Sequence, residues 1–243
     1  VYGQRSRDSF DPVGDRRPFL ANATFDVRSV FATAAVGVTE GVEVWAQAPI
    51  HRLTIAGDGG SSRTTGLGDV RAAVRISPAL FDYEIPVAVR AGLKVPGRDF
   101  PVLATELPIS EGQLDYEVSV ESGWSGEDLP VYLVGWAGYR WRTRNEAVDY
   151  EPGDERFAHL AVGGQSGALS WEVGVDGLWG RTPFESGLFL PSASRRLIQL
   201  LPTLGTDVGP GRLEVTTPIP LTGRNVPAGV GVSLGYRTLW GAG

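Results

Sequence analysis

The sequence predicts an all-β fold: a transmembrane antiparallel β-barrel of twelve strands, with the first strand partly missing. Three observations carry this expectation. In segment after segment, apolar and polar side chains alternate with a period of two, which puts successive residues on opposite faces of a pleated strand. Several of these segments run about 10–12 residues, close to the ~9–11 that cross a bilayer at a tilt of ~45° and longer than the ~5–6 of an ordinary strand. The connectors alternate between short and long, as in a barrel with short periplasmic turns and longer extracellular loops.

Taken in order, eleven complete strands are expected at residues 22–38, 42–53, 66–77, 84–95, 113–122, 129–142, 156–165, 168–180, 194–204, 212–221 and 229–240. The parity is clearest in the second, where Val42, Val44, Ala46, Ala48 and Ile50 oppose Glu43, Trp45, Gln47 and His51. It returns in Val87, Val89, Ala91 and Leu93 against Arg90 and Lys94, and in Trp171, Val173 and Val175 against Glu172 and Asp176. It is least clean around Ala158–Val162 and Ile198–Leu204. The short connectors are Thr39–Gly41, Pro78–Tyr83, Gly123–Asp128, Ser166–Gly167 and Gly205–Gly211. The longer ones are Thr54–Thr65, Pro96–Gly112, Thr143–Glu155, Arg181–Ala193 and Thr222–Ala228. A single-chain bacterial barrel has an even number of strands. Val1–Arg7 is therefore read as the end of a first strand and Asp8–Ala21 as a long extracellular loop. This puts both termini in the periplasm and implies further residues before Val1. Closure follows from the solvent, because an open sheet edge in lipid leaves backbone N–H and C=O groups without partners.

Composition narrows the function classes. The chain is long enough for one large barrel, at 243 residues, and its net charge of -6 gives no basic balance for nucleic acid. The absence of cysteine removes disulfides and thiolate metal sites. No apolar run approaches the ~18 residues of a spanning helix. Seven Trp and seven Tyr in an alternating pattern fit an aromatic belt at a membrane interface, and equally a carbohydrate-binding sandwich.

In a membrane barrel the Val/Leu/Ala face meets lipid and the charged face lines the lumen. The expected lumen residues begin with Asp26, Arg28, Glu43, His51, Asp69, Arg71, Arg75, Arg90 and Lys94. They continue with Asp115, Glu117, Glu121, Arg140, Arg142, His159, Glu172, Asp176, Glu214 and Arg237. So many charges do not fit a dry core, and a twelve-strand circumference leaves room for water. The signs are segregated by strand: Arg71, Arg75, Arg90 and Lys94 precede Asp115, Glu117 and Glu121, and Arg140 and Arg142 follow. One reading is a transverse field that orients a polar solute in a narrow pore. The other is an inter-strand ion-pair network that props a largely closed lumen.

Chemistry is sparsely signalled. Neither His51 nor His159 has the local serine or carboxylate spacing of a nucleophile–base pair. Gly57–Gly60 lacks the Lys-Ser/Thr and helix of a phosphate loop, and one carboxylate is too few for a calcium cage. Pro152–Glu155 is a turn entering the next strand. No enzyme, metal or cofactor is expected. Phe184–Ser194 carries Phe184 and Leu188–Leu190 in a predicted extracellular loop, where they could pack on neighbours, constrict the mouth or meet a partner.

Four segments carry a family resemblance: GVTEGVEVWAQAPI (Gly37–Ile50), GLGDVRAAVRISP (Gly66–Pro78), AGLKVPG (Ala91–Gly97), and PIPLTGRN with GVSLGYR (Pro218–Asn225 and Gly231–Arg237). In these the chain resembles outer-membrane channels of the meta-pathway phenol-degradation type. The resemblance implies transport of small hydrophobic or aromatic compounds and carries no catalytic residues. The chain departs from the usual barrel ending, since Trp240 is followed by Gly-Ala-Gly. The expected function is passage of small solutes across the bacterial outer membrane, in contact with its lipid. The alternative is a structural or assembly barrel with an ion-paired closed lumen that binds a protein partner through its extracellular loops.

Overall fold

The computed structural model describes residues 1–81, 85–101, 106–126 and 129–241. The parts of the expected connectors and strand starts that fall on residues 82–84, 102–105 and 127–128 lie outside the described residues, as does the chain after Gly241. The chain forms a closed antiparallel barrel of 12 strands. In order these are β1 (Tyr2–Ser6), β2 (Thr24–Thr39), β3 (Val42–Gly57), β4 (Gly60–Leu67 and Val70–Ile76), β5 (Val87–Val95) and β6 (Asp115–Ser125). They continue as β7 (Val131–Arg142), β8 (Glu155–Ser166), β9 (Leu169–Gly180), β10 (Arg196–Val208), β11 (Gly211–Thr216 and Ile219–Arg224) and β12 (Gly231–Thr238).

Each strand pairs with its sequence neighbours, and β1 closes the ring by pairing with both β2 and β12. The segment expected to complete the strand count therefore does so: Tyr2 lies opposite Ser29 on one side and Ser233 on the other. Two strands are interrupted. In β4 the chain breaks at Gly68, whose N–H donates to the Pro49 carbonyl at 2.9 Å. In β11 the break falls at Thr217–Pro218, where proline has no N–H to give the ladder. One connector is not the loop expected. Residues 54–65 continue β3 and β4 beyond the barrel as a hairpin turning at Asp58–Gly59, with Thr54 opposite Arg63 and Ile55 opposite Ser62.

The two ends of the barrel differ. Turns at 40–41, 167–168 and 209–210 close one end. The other carries the β3–β4 hairpin and the connections 7–23, 96–114, 143–154, 181–195 and 225–230. Short strand pairs build some of these, among them Asp8–Phe10 with Arg16–Pro18, and Phe184–Glu185 with Leu188–Phe189.

The interior is inverted relative to a water-soluble protein. Val30, Ile50, Val120, Leu160, Leu204 and Val232 all lie outward and more than half exposed. Buried apolar residues are few and mostly small, while Lys94, Asp115, Arg142, Glu155 and His159 are all buried.

Candidate functional site: an ion-paired lumen

The register decides which side chains meet inside. Starting from Glu43 opposite Arg75, the inward positions run through Arg71 and Arg75 of β4, Arg90 and Lys94 of β5, and Asp115, Glu117 and Glu121 of β6. They continue through Arg140 and Arg142 of β7, His159 of β8, Glu172 and Asp176 of β9, Glu214 of β11 and Arg237 of β12. His51 faces inward opposite Gly66, and Asp69 reaches inward from the break in β4.

Asp26 and Arg28 do not face the lumen. Their register partners are Thr54 and Arg52, on the face that continues as Val30 opposite Ile50 and Ala32 opposite Ala48. The inward positions of this strand pair are Ser29 opposite His51 and Thr33 opposite Gln47. Asp26 and Arg28 therefore share the outward face with the apolar band, above it at the long-loop end. Charge was read there as a mark of the lumen, but outside the apolar band both faces tolerate it.

The inward charges nearest the long loops form one network. Lys94 is 3 % exposed, and its Nζ lies 3.1 Å from Asp69 Oδ2, 2.5 Å from Glu111 Oε2 and 2.9 Å from Asp115 Oδ2. Arg142 reaches Glu111 at 2.7 Å and Glu155 at 3.3 Å. Arg140 donates to Glu117 at 3.0 Å and to Glu155 at 2.8 Å. Arg195 pairs with Glu155 and lies 3.4 Å from Glu111. Glu155 has no exposed side-chain surface and accepts from all three arginines. Taking such charges out of water costs several kcal/mol per ion, which multiple opposed partners offset.

Three members of this network were not anticipated. Glu111 lies in a connection and Glu155 opens a strand, so parity gave no signal for these two, whereas Arg195 falls in the expected strand 194–204 and continues the inward phase of Leu197 and Gln199 just before β10. Glu111 enters the lumen because the end of its connection, around Ser110–Gln113, folds over the barrel. Ser110 donates to Asp69 Oδ1 at 2.6 Å, and Asn145 Nδ2 donates to the Glu111 carbonyl at 2.9 Å. Burial pushes the Glu111 carboxyl up, but Arg142, Arg195 and Lys94 outweigh it and hold the group well below the usual carboxylate range. Burial lowers Arg195 in turn, and Glu155 and Glu111 more than restore it.

At mid-height the lining is aromatic as well as charged. Trp136 stacks on His159 with ring centroids 3.8 Å apart and an interplanar angle of 10°. His159 Nδ1 lies 2.5 Å from Asp176 Oδ1, and Gln199 donates to the other Asp176 oxygen at 3.2 Å. Arg75 and Arg90 both pair with Glu121, at 2.8 and 2.9 Å. Arg90 also sits over the Trp45 ring at 5.9 Å, and Arg140 over Phe157 at 5.3 Å. Ser29 and His51 do approach, with Oγ 2.7 Å from Nδ1, but Ser29 is only 2 % exposed. Above the network, Phe100, Tyr150, Pro183, Arg142 and Arg195 line a vestibule with roughly 170 Å3 of water-accessible space.

Fold and lining together define a closed twelve-stranded barrel that is apolar outside and ion-paired inside. No family model matches the chain, and no curated protein matches it by sequence. Among solved structures the fold is similar to that of an outer membrane channel from Pseudomonas putida F1, with a TM-score of 0.76 and 12 % sequence identity. The match covers 97 % of this chain and 92 % of the other.

Proposed function

We propose that this chain is an outer-membrane channel that passes small solutes, with its long loops at the cell surface and both termini in the periplasm. The observation that carries the reading is the inversion of its two faces. A barrel in water hides apolar side chains inside, whereas this one exposes them around its waist and encloses charge. That arrangement suits lipid outside and a wet path inside. The similar fold of a known outer membrane channel supports the same reading.

The finer reading is a narrow path for small apolar or aromatic compounds, as the resemblance to the meta-pathway phenol-degradation type implies. The lining offers such a solute aromatic faces at Trp45, Trp136 and Phe157, each beside a cationic or imidazole group. The Glu111–Arg142–Lys94 network narrows the entrance and would exclude large or strongly hydrated solutes.

Single-channel recording of the purified chain in a planar bilayer tests the proposal. Steady, small unitary currents are expected, with a charge selectivity that changes when Arg90 or Glu121 is neutralised. Verified insertion with no current would move the assignment to the second reading, a closed barrel that holds a protein partner. One observation favours that reading: Leu188 and Phe189 project from the 181–195 connection, 66 % and 72 % exposed.

A further inference from the structure

The outward face carries its charge at one end only. Among the described residues, seven arginines on the barrel strands and the β3–β4 hairpin point outward: Arg5, Arg28, Arg52 and Arg63 on one side, and Arg156, Arg196 and Arg224 on another. All lie at the long-loop end. At the short-turn end the strand cations Arg212 and Arg237 face the lumen side and are paired with Asp207 and Glu214, at 2.8 and 3.0 Å.

The first group is the denser. Arg28 and Arg52 are direct register partners, a like-charge pair across neighbouring strands that repels unless an anion joins it. Arg5 lies opposite Asp26 and Arg63 opposite Thr54, in the adjoining positions. These six residues line an outward cleft. Among the described residues one carboxylate serves four guanidinium groups: Asp26 lies 3.8 Å from Arg5, and the other three have no described carboxylate within ion-pair distance. Arg63 Nε donates to Thr54 Oγ1 at 3.4 Å.

Depth identifies the missing anion. The next outward pair toward the short-turn end is Val30 and Ile50, 54 % and 55 % exposed, followed by Ala32 and Ala48. Two residues along a strand advance it by about 7 Å. The guanidinium groups therefore sit directly above the apolar band, where headgroups lie if that band is in lipid. Guanidinium forks match phosphate oxygens in bidentate geometry. The second group repeats the arrangement, with Arg156 and Arg196 flanking the outward Trp179 and Arg224 opposite Arg196.

We infer that Arg28, Arg52, Arg5 and Arg63 form a binding site for the phosphate of a membrane lipid in the leaflet at the long-loop end, a phosphorylated glycolipid of the lipid A type. This rests on the outer-membrane reading above, and the two are separable by experiment. Flotation of the refolded chain with vesicles of pure phosphatidylcholine reads membrane insertion alone. Failure there would overturn the membrane reading itself.

The lipid site is then read by titrating the detergent-solubilised chain with diphosphoryl lipid A, dephosphorylated lipid A and inorganic phosphate. Diphosphoryl lipid A should bind about tenfold more tightly than the dephosphorylated form, and Arg28→Gln/Arg52→Gln should remove that preference. Flotation and conductance of the double variant should match the parent, because neither side chain faces the lumen. Arg63→Gln, at an exposed hairpin position, gives a second variant with a smaller loss should the double variant fold poorly. Equal binding of both lipids, or full competition by inorganic phosphate at the lipid's concentration, would overturn the inference.

Discussion

Glu155 Oε2 accepts a hydrogen bond from Arg140 Nη1 at 2.8 Å, and the glutamate side chain making that bond has no solvent-exposed surface. Two more arginines, Arg142 and Arg195, converge on its other oxygen. Replacing Glu155 with glutamine keeps the shape and removes the charge that three cations share. Breaking a buried pair from one side costs about 3–5 kcal/mol, so Glu155→Gln should lower the denaturant midpoint of the refolded barrel markedly. An unchanged midpoint in detergent would mean that water already screens this cluster.

The connection 96–114 should respond to acid through Glu111. Its folded carboxyl is held below the usual range, so its ion pairs stabilise the inserted loop fully above the ordinary glutamate pKa of about 4.3. That contribution is lost as the pH falls below this value toward the folded pKa. Unitary conductance should be flat from about pH 7 to 5 and rise below about pH 4, as the loop releases. Glu111→Gln should show the raised conductance already at neutral pH. A midpoint near neutrality would exclude Glu111 as the titrating group.

Two glycines cross where the break in β4 meets the start of the 96–114 connection. A Cβ on Gly97 would lie 1.9 Å from the Gly68 carbonyl oxygen, a backbone atom with little room to yield. Gly97→Ala should therefore destabilise the barrel by about 1–3 kcal/mol. Gly37→Ala, where a Cβ meets nothing within 4 Å, should stay within about 0.5 kcal/mol of the parent. Chemical denaturation of the two variants side by side reads the contrast, and equal midpoints would contradict the close crossing.

Trp136 should set the width of the path at mid-height. Its indole fills space over His159, and truncation removes that stack while leaving the His159–Asp176 contact in place. Trp136→Ala should raise unitary conductance severalfold with little change in ion selectivity, because no charge is altered. Conductance equal to the parent would place the narrowest point elsewhere, with the Lys94–Glu111 cluster the next to examine.

Period-two alternation made the strands legible because it records the one constraint every barrel strand obeys, a lipid side and a lumen side. It located β3 and β5 to β9 closely and brought Val1–Arg7 in as the closing strand. It misassigned Asp26 and Arg28 because parity was inferred from charge, and charge marks the lumen only within the depth of the apolar band. Above that depth Arg28 and Val30 share a face, and only the pairing of Ser29 with His51 reveals the phase. Arg195 was missed inside the expected strand 194–204, where the alternation is least clean, and Glu111 was out of reach for a different reason. A side chain that enters a lumen from a connecting loop has no period, and its place depends on where the loop lands. Thr54–Thr65 reads as a long connector because the apolar–polar alternation stops near Leu53, whereas the strands run on to the turn at Asp58–Gly59.

The scarcity of buried apolar side chains has a thermal consequence. The heat-capacity increment of unfolding comes chiefly from hydrating apolar surface. In a barrel whose apolar side chains already face outward and whose interior is built from ion pairs, a transition that opens the lumen hydrates mostly charge. Its stability curve should be shallow, with free energy varying little between refrigeration and the growth range. Its cold limit should lie well below that of a soluble domain of the same length.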